Sequence, residues 1–146
     1  MVTVSISFQL DSIASVNRFY KQQRQSSRIK KLDCAYTLRR ADNIVAALYL
    51  QKKSQGWFLR SIFVAPSERG SGLAERLIRE ALLTINGQLC YCFPLAYLDK
   101  LYTRSGFIAA DISEARDSVR DQFRRVARHQ NIIYKVNVRG SCICVN

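Results

Sequence analysis

Residues 2–9 alternate strictly: Val2, Val4, Ile6 and Phe8 fall on one side, Thr3, Ser5, Ser7 and Gln9 on the other. That period of two predicts a half-buried strand. Asp11 or Ser12 can cap a following helix, in which Ile13, Val16, Phe19 and Tyr20 recur at helical spacing. The helix dissolves into a polar, basic loop over 22–31. Two strand-like runs follow, 34–40 and 44–53, joined by Ala41-Asp42-Asn43, where Asp and Asn tolerate the positive φ of a tight hairpin. Ser54-Gln55-Gly56 predicts a second turn, and Trp57–Ala65 another strand, closed by Pro66.

Beyond Pro66 the period changes. Leu73, Leu77, Ile78, Ala81 and Leu82 form one helical stripe that Asn86-Gly87 ends. Leu89–Phe93 reads as a short buried strand and Pro94 as a helix entry, with Leu98, Leu101 and Tyr102 continuing until Gly106. Phe107–Ala110 is a strand. Ile112–Gln130 is an amphipathic helix with Ala115, Val119, Phe123 and Val126 inward, and Ile132, Tyr134, Val136 and Val138 alternate as a last strand. The pattern predicts one α/β domain over 1–146, with a mixed sheet of about seven strands: an antiparallel first half, then helix-linked strands. No apolar run approaches the roughly 20 residues of a membrane helix.

Composition sharpens this picture in two places. The 146 residues are 48% hydrophobic, enough for a packed core, and the 6 Gly and 2 Pro exclude collagen-like and low-complexity chains. Net charge is +12, and Arg supplies 16 of the 23 cations, which favours polyanions or phosphate-bearing ligands as partners. Arg116, Arg120, Arg124, Arg125 and Arg128 read as a solvated helix face with Glu114, Asp117 and Asp121 at pairing distance, so nucleic acid is not the expected partner. The five Cys are odd in number and the first residues lack a basic n-region and an apolar h-region, so a cytoplasmic location is expected. Cys90-Tyr91-Cys92 and Cys142-Ile143-Cys144 are spaced too closely for a usual zinc pair, and His129 is the one histidine. Each pair reads as two small apolar residues on one face, and no metal is expected.

The segment richest in chemistry is Arg69-Gly70-Ser71-Gly72-Leu73-Ala74, placed between a strand and a helix. Small residues at 70, 71, 72 and 74 let backbone N–H groups converge, the helix N-terminus adds partial positive charge, and Arg69 adds a full one. A pyrophosphate is the natural guest. A P-loop is excluded by spacing and by the missing Lys-Ser/Thr pair. A dinucleotide fingerprint is excluded by Glu75 and by the absence of acidic residues in 84–98.

This loop resembles the signature of the GNAT superfamily of acyl-CoA-dependent N-acyltransferases: Arg or Gln, two residues, Gly, one residue, then Gly or Ala. Ile62-Phe63-Val64-Ala65-Pro66 is similar to the family's fourth strand, and Tyr102-Thr103-Arg104-Ser105-Gly106-Phe107 to its Tyr, three residues, Gly-Phe element. The strand order matches as well, over roughly residues 3–138. The resemblance implies a GNAT-like fold with acetyl-CoA as co-substrate and an amine acceptor, compatible with a homodimer. Backbone amides of Arg69, Gly70, Ser71, Gly72, Leu73 and Ala74 would hold the CoA pyrophosphate. Main chain at Ile62, Phe63 and Val64 would pair with the pantetheine arm, and an N–H near Ile62 would polarise the thioester carbonyl. Tyr102 would protonate the departing thiolate, and Arg104 would reach a phosphate. A core tyrosine packed beside Leu98 and Leu101 is the plainer reading of Tyr102.

One position departs from the family. Many members carry a Glu on the fourth strand, four residues before the position of Val64, as a base; here it is Arg60, which cannot accept a proton. Asp33, Glu68, Asp99 and Asp111 are unranked substitutes, and Arg60 suggests an acceptor carrying a carboxylate or phosphate, such as an amino acid. The alternative is a catalytically weak CoA-binding module whose Arg-rich surface meets nucleic acid or an acidic protein.

Overall fold

The computed structural model describes residues 5–53, 56–86, 88–92, 98–114, 120–121, 124–125 and 132–137, the last six as backbone. Val2, Val4, Gly87, Phe93, Pro94, His129, Cys142, Cys144 and most of the expected 112–130 helix lie outside the described residues. Among the described residues the strands and α-helices are β1 (Ile6–Asp11), α1 (Ile13–Gln22), β2 (Cys34–Arg40), β3 (Asn43–Lys53), β4 (Gly56–Val64), α2 (Leu73–Thr84), β5 (Leu89–Cys92), α3 (Asp99–Arg104), β6 (Ile108–Asp111) and β7 (Ile132–Asn137).

The strands form one seven-stranded sheet in the order β1-β2-β3-β4-β5-β7-β6. Every pairing is antiparallel except β4 with β5. The strand–helix–meander reading and the strand count therefore hold. Ser12 is the α1 cap, its Oγ accepting from the Ser15 amide at 3.1 Å, while Asp11 ends β1. The α2 stripe is buried along its whole length, as the spacing predicts.

The hairpin differs from expectation. Asn43 already pairs with Arg40, so the reversal is confined to Ala41-Asp42, and the positive φ of 55° falls on Ala41 rather than on Asp or Asn. Arg39 Nη1 donates to the Asp42 carbonyl at 2.7 Å, a contact that fixes the turn without help from local propensity. The helix α2 also stops at Thr84, two residues before Asn86.

Two apolar layers cover the sheet. On one face Tyr36, Leu38, Leu48, Leu50, Trp57 and Leu59 pack under α2, together with Cys90, Cys92, Tyr102 and Phe107. On the other, Val16, Phe19 and Tyr20 of α1 cover Ala35, Ala47 and Tyr49. Cys90 and Cys92 are fully buried, their thiols pushed up by burial, and behave as the small apolar pair expected of them. Among the described residues no three His, Cys, Asp or Glu side chains cluster, and no helix is long and apolar enough to cross a membrane.

Candidate active site

The site begins with a fault in β4. Opposite β3 the register runs Ala46 with Val64 and Ala47 with Phe63, then shifts so that Tyr49 faces Arg60. The extra residue is a bulge at Ser61, whose φ is 56°. Trp57 and Leu59 belong to the α2-side core before the bulge, and Ile62 and Val64 pack against that same core after it. The strand thus keeps an apolar face towards α2 while its alternation slips by one.

The bulge is held from α1 and the loop behind it. Tyr20 Oη donates to the Ser61 carbonyl at 2.8 Å, and the Ser27 and Ser61 hydroxyls hydrogen-bond to each other. In a trans peptide the carbonyl and the next N–H point oppositely, so fixing the Ser61 carbonyl towards Tyr20 turns the Ile62 N–H away from α1. The Ala65 amide donates to Val45 O at 2.8 Å, which puts Ala65 and Phe63 on the hydrogen-bonding positions towards β3. Ile62 and Val64 then direct their main-chain groups to the opposite edge. Of the three residues read as main-chain donors and acceptors, Phe63 is turned to β3 and Ile62 and Val64 are not.

Among the described residues the parallel join has three rungs, Trp57–Cys90, Phe58–Tyr91 and Leu59–Cys92, and no described strand pairs with that opposite edge beyond Leu59. Past Leu59 a cleft of about 810 Å³ lies beside β4. Ile62, Phe63, Val64, Arg69, Gly70, Gly72, Leu73, Ala74 and Arg104 line it, nine of the positions read from sequence. Gln25, Glu68, Glu75, Leu98 and Leu101 complete the lining. Of these, Gln25 carried no signal in the sequence, since a polar residue in a polar loop has no period to betray its placement.

The glycine loop fits an anion. Gly72 is the N-cap of the twelve-residue α2 and has no side chain with which to cap it, so the first-turn amides of α2 face outward without a side-chain acceptor. Gly70 and Gly72 adopt φ of 90° and 79°, and a Cβ on either would project into open space rather than into protein. Arg69 Nε donates to the Val64 carbonyl at 2.9 Å and its guanidinium lies 5.1 Å from the Phe63 ring centre, closing the end of β4. Ser71 is exposed and does not line the cleft; its Oγ donates to the Glu68 carbonyl at 3.3 Å.

Charge in the cleft is paired. Glu75 Oε1 lies 3.3 Å from Arg104 Nε and its Oε2 lies 3.5 Å from Arg79, while Arg79 Nη2 donates to the Arg104 carbonyl at 2.6 Å. These contacts fasten α3 to α2 and leave the Arg104 side chain 67% exposed at the rim. Glu68 is the one candidate base of four that lines the cleft, and it pairs with Arg40 at 2.8 Å. Asp33 instead accepts from the Lys30 amide, and Asp111 from that of Ser113.

Besides Ser71, two residues read from sequence are not on the cleft wall. Tyr102 follows Leu101 in α3, is 3% exposed, and packs its ring 5.7 Å from that of Phe107 in the core. Arg60 sits in β4 opposite Tyr49, with Nη1 donating to Gln51 Oε1 at 3.3 Å. Burial lowers the Lys53 ammonium, Arg125 lowers it further, Asp33 opposes them, and Arg60 and Lys30 add lesser lowering effects.

Comparison with known proteins agrees with this geometry. No curated protein matches the sequence. Among solved structures, N-acetylglutamate synthase from Neisseria gonorrhoeae complexed with coenzyme A and N-acetyl-glutamate superposes with a TM-score of 0.68 at 16% identity, over 92% of this chain and 35% of that one. The chain thus spans about a third of that relative's length. The ribosomal-protein-S18-alanine N-acetyltransferase from Escherichia coli gives 0.64 at 13% identity over 92% and 95%, and a GNAT-family acetyltransferase from Staphylococcus aureus 0.64 at 12% over 92% and 100%. These likenesses fix the fold. Residues 32–109, from β2 through the cleft to β6, match the family described as acetyltransferase (GNAT) domain. With more than half of its length matched, and with the bulged fourth strand and glycine loop in place, the chain belongs to the GNAT acetyltransferase family.

Proposed function

We propose that the protein transfers the acetyl group of acetyl-CoA directly to a primary amine of a small molecule, with both substrates bound at once. The observation that carries this reading is the convergence of the open β4 edge and the uncapped α2 N-terminus on one cleft. A helix N-terminus behind two glycines suits a diphosphate, and an unpaired strand edge suits an extended amide-bearing arm.

In this reading the residues of the cleft, and Tyr102 and Arg60 beside it, each have a task. The amides from Gly70 to Ala74 hold the diphosphate, with Arg104 at the rim beside it. When bound, the thioester supplies an acyl group activated for attack by an amine. The Ile62 N–H, aimed by the bulge, donates to the acyl oxygen as negative charge develops there. Tyr102 donates its phenolic proton to the leaving thiolate. Its burial requires that the leaving sulfur approach through the Leu98–Leu101 wall. The Arg60 guanidinium, in place of a base, attracts an anionic group on the acceptor, such as an amino-acid carboxylate, and the amine is delivered neutral or loses its proton to solvent.

Thermal shift with acetyl-CoA, followed by thiol release against a panel of amines, tests the reading. Stabilisation plus release with at least one amine is expected. Stabilisation without release on any amine overturns transfer and favours a CoA-binding module, a second reading that the burial of Tyr102 and the presence of Arg60 support. For Tyr102, the Tyr102→Phe variant is expected to lower kcat with KM for acetyl-CoA little changed. For Arg60, acidic and basic acceptors are compared on wild type and Arg60→Ala, and equal losses for both overturn its role.

A further inference from the structure

A second concavity, of about 1030 Å³, lies between α1 and the loop that follows it. Its walls carry Arg18, Lys21, Arg24, Arg28 and Lys31. From 18 to 31 the chain has six cations and no acid. None of the five wall cations makes an ion pair with a described carboxylate, and the nearby carboxylates are engaged, Asp11 by Arg39 and Asp33 by the Lys30 amide. Arg18 and Lys21 are three apart on α1 and so share a face.

The groove is built rather than draped. Asn17 holds the loop at both main-chain groups of one residue, its Nδ2 donating to the Ile29 carbonyl at 3.2 Å and its Oδ1 accepting from the Ile29 amide at 2.7 Å. Ile29 itself is buried against α1 and β3. The Gln25 amide donates to the Tyr20 carbonyl at 2.8 Å, and Ser27 is tied to Ser61. Like charges are held side by side by these contacts, at a cost in self-repulsion that an anionic occupant relieves.

Gln25 lines both this groove and the β4 cleft, so the two concavities adjoin at that residue. We infer that the groove binds an acidic polypeptide segment whose free amine reaches past Gln25 to the β4 cleft, which replaces the small anionic acceptor proposed above by the amine of an acidic peptide. Five cations exceed what a single amino acid can satisfy. No aromatic side chain is among the lining residues on which a nucleobase could stack. A nucleic acid also lacks the basic aliphatic amine that the adjoining cleft accepts. An acidic peptide meets both requirements. The identity of the amine rests on the transfer reading above; the binding of the acidic segment does not.

The test separates them. Fluorescent hexapeptides of equal length, acidic, neutral and basic, are titrated by anisotropy into the full chain and into a Lys21→Glu, Arg24→Glu, Arg28→Glu variant. All three side chains are exposed, and an unchanged thermal shift with acetyl-CoA verifies that the variant is folded. Wild type is expected to bind the acidic peptide roughly tenfold or more tightly than the neutral one, with the preference lost in the variant and weakened by salt. Equal binding of all three peptides, or full retention in the variant, overturns the proposal, as does tighter binding of a single-stranded RNA of the same charge. If the acidic peptide binds in this pattern but no thiol is released with any acceptor, the groove stands and the transfer reading falls.

Discussion

Tyr20 and Ser61 are 41 residues apart in sequence, yet the hydroxyl of one donates to the carbonyl of the other at 2.8 Å in the interior between α1 and β4. Burial and the neighbouring Tyr49 push the Tyr20 phenol far above its ordinary value, so it remains a donor throughout the working pH range. Tyr20→Phe removes that donor without changing the packing shape. The expected result is a kcat lower by about tenfold, with KM for acetyl-CoA little altered, because the peptide that presents the Ile62 N–H loses its tether. Steady-state kinetics decide it; an unchanged kcat removes Tyr20 from the positioning of that amide.

Gly72→Ala places a methyl group where the cleft is open and forces an L side chain to keep a φ of 79°. The backbone penalty is about 1–2 kcal/mol, a modest fall in melting temperature. Donor affinity is expected to fall more steeply, by tenfold or more, because the methyl stands in front of the first-turn amides. Calorimetric titration with acetyl-CoA on the folded variant measures this, and undiminished affinity moves the anion seat elsewhere.

Asp11 ties β1 to β2. Its carboxylate accepts from Arg39 Nε and Thr37 Oγ1, each at 2.7 Å, and its side chain is 6% exposed. Burial pushes its pKa up, but the hydrogen bonds from Arg39, Thr37 and Ser12 outweigh it and hold the carboxyl below the usual value. A depressed folded-state pKa gives stability that is complete above the unfolded value, near 3.8, and is lost as pH falls through the lower one. Asp11→Asn is expected to cost about 1–3 kcal/mol at neutral pH and to flatten the acid limb of the stability curve. Denaturant melts at pH 7 and pH 3 test both parts.

Cysteine reactivity separates core from surface. Cys34 is half-buried, whereas Cys90 and Cys92 are sealed under α2 with their thiols pushed up. Among the three described cysteines, alkylation mapped by mass spectrometry is expected to modify Cys34 before Cys90 and Cys92, which react on unfolding. Early modification of Cys90 would show that β5 opens in the native state.

The parts of the fold that sequence predicts best are those where one face meets one partner. The α2 stripe is legible because Leu73, Leu77, Ile78, Ala81 and Leu82 all meet the same side of the sheet. The glycine loop is legible because its geometry demands small residues. The Ser61 bulge is not, since Trp57–Ala65 reads as one uninterrupted strand and serine is no usual occupant of positive φ; distant Tyr20 and Ser27 hold it. Ala41 is a similar case, with Arg39 fixing the turn. The groove beside α1 escapes for a different reason. Its polar, basic residues read as loop, and Asn17 gathers them through contacts that leave no period.

The three-rung join between β4 and β5 has a consequence for the protein's survival. Amides along a strand edge without neighbouring rungs exchange readily with solvent; on the proposed reading, a guest laid along Ile62 to Val64 would supply rungs there. Stabilisation by a bound guest grows with the logarithm of its concentration. The folded population, and with it the resistance to proteolysis, would then track the local supply of activated acyl groups.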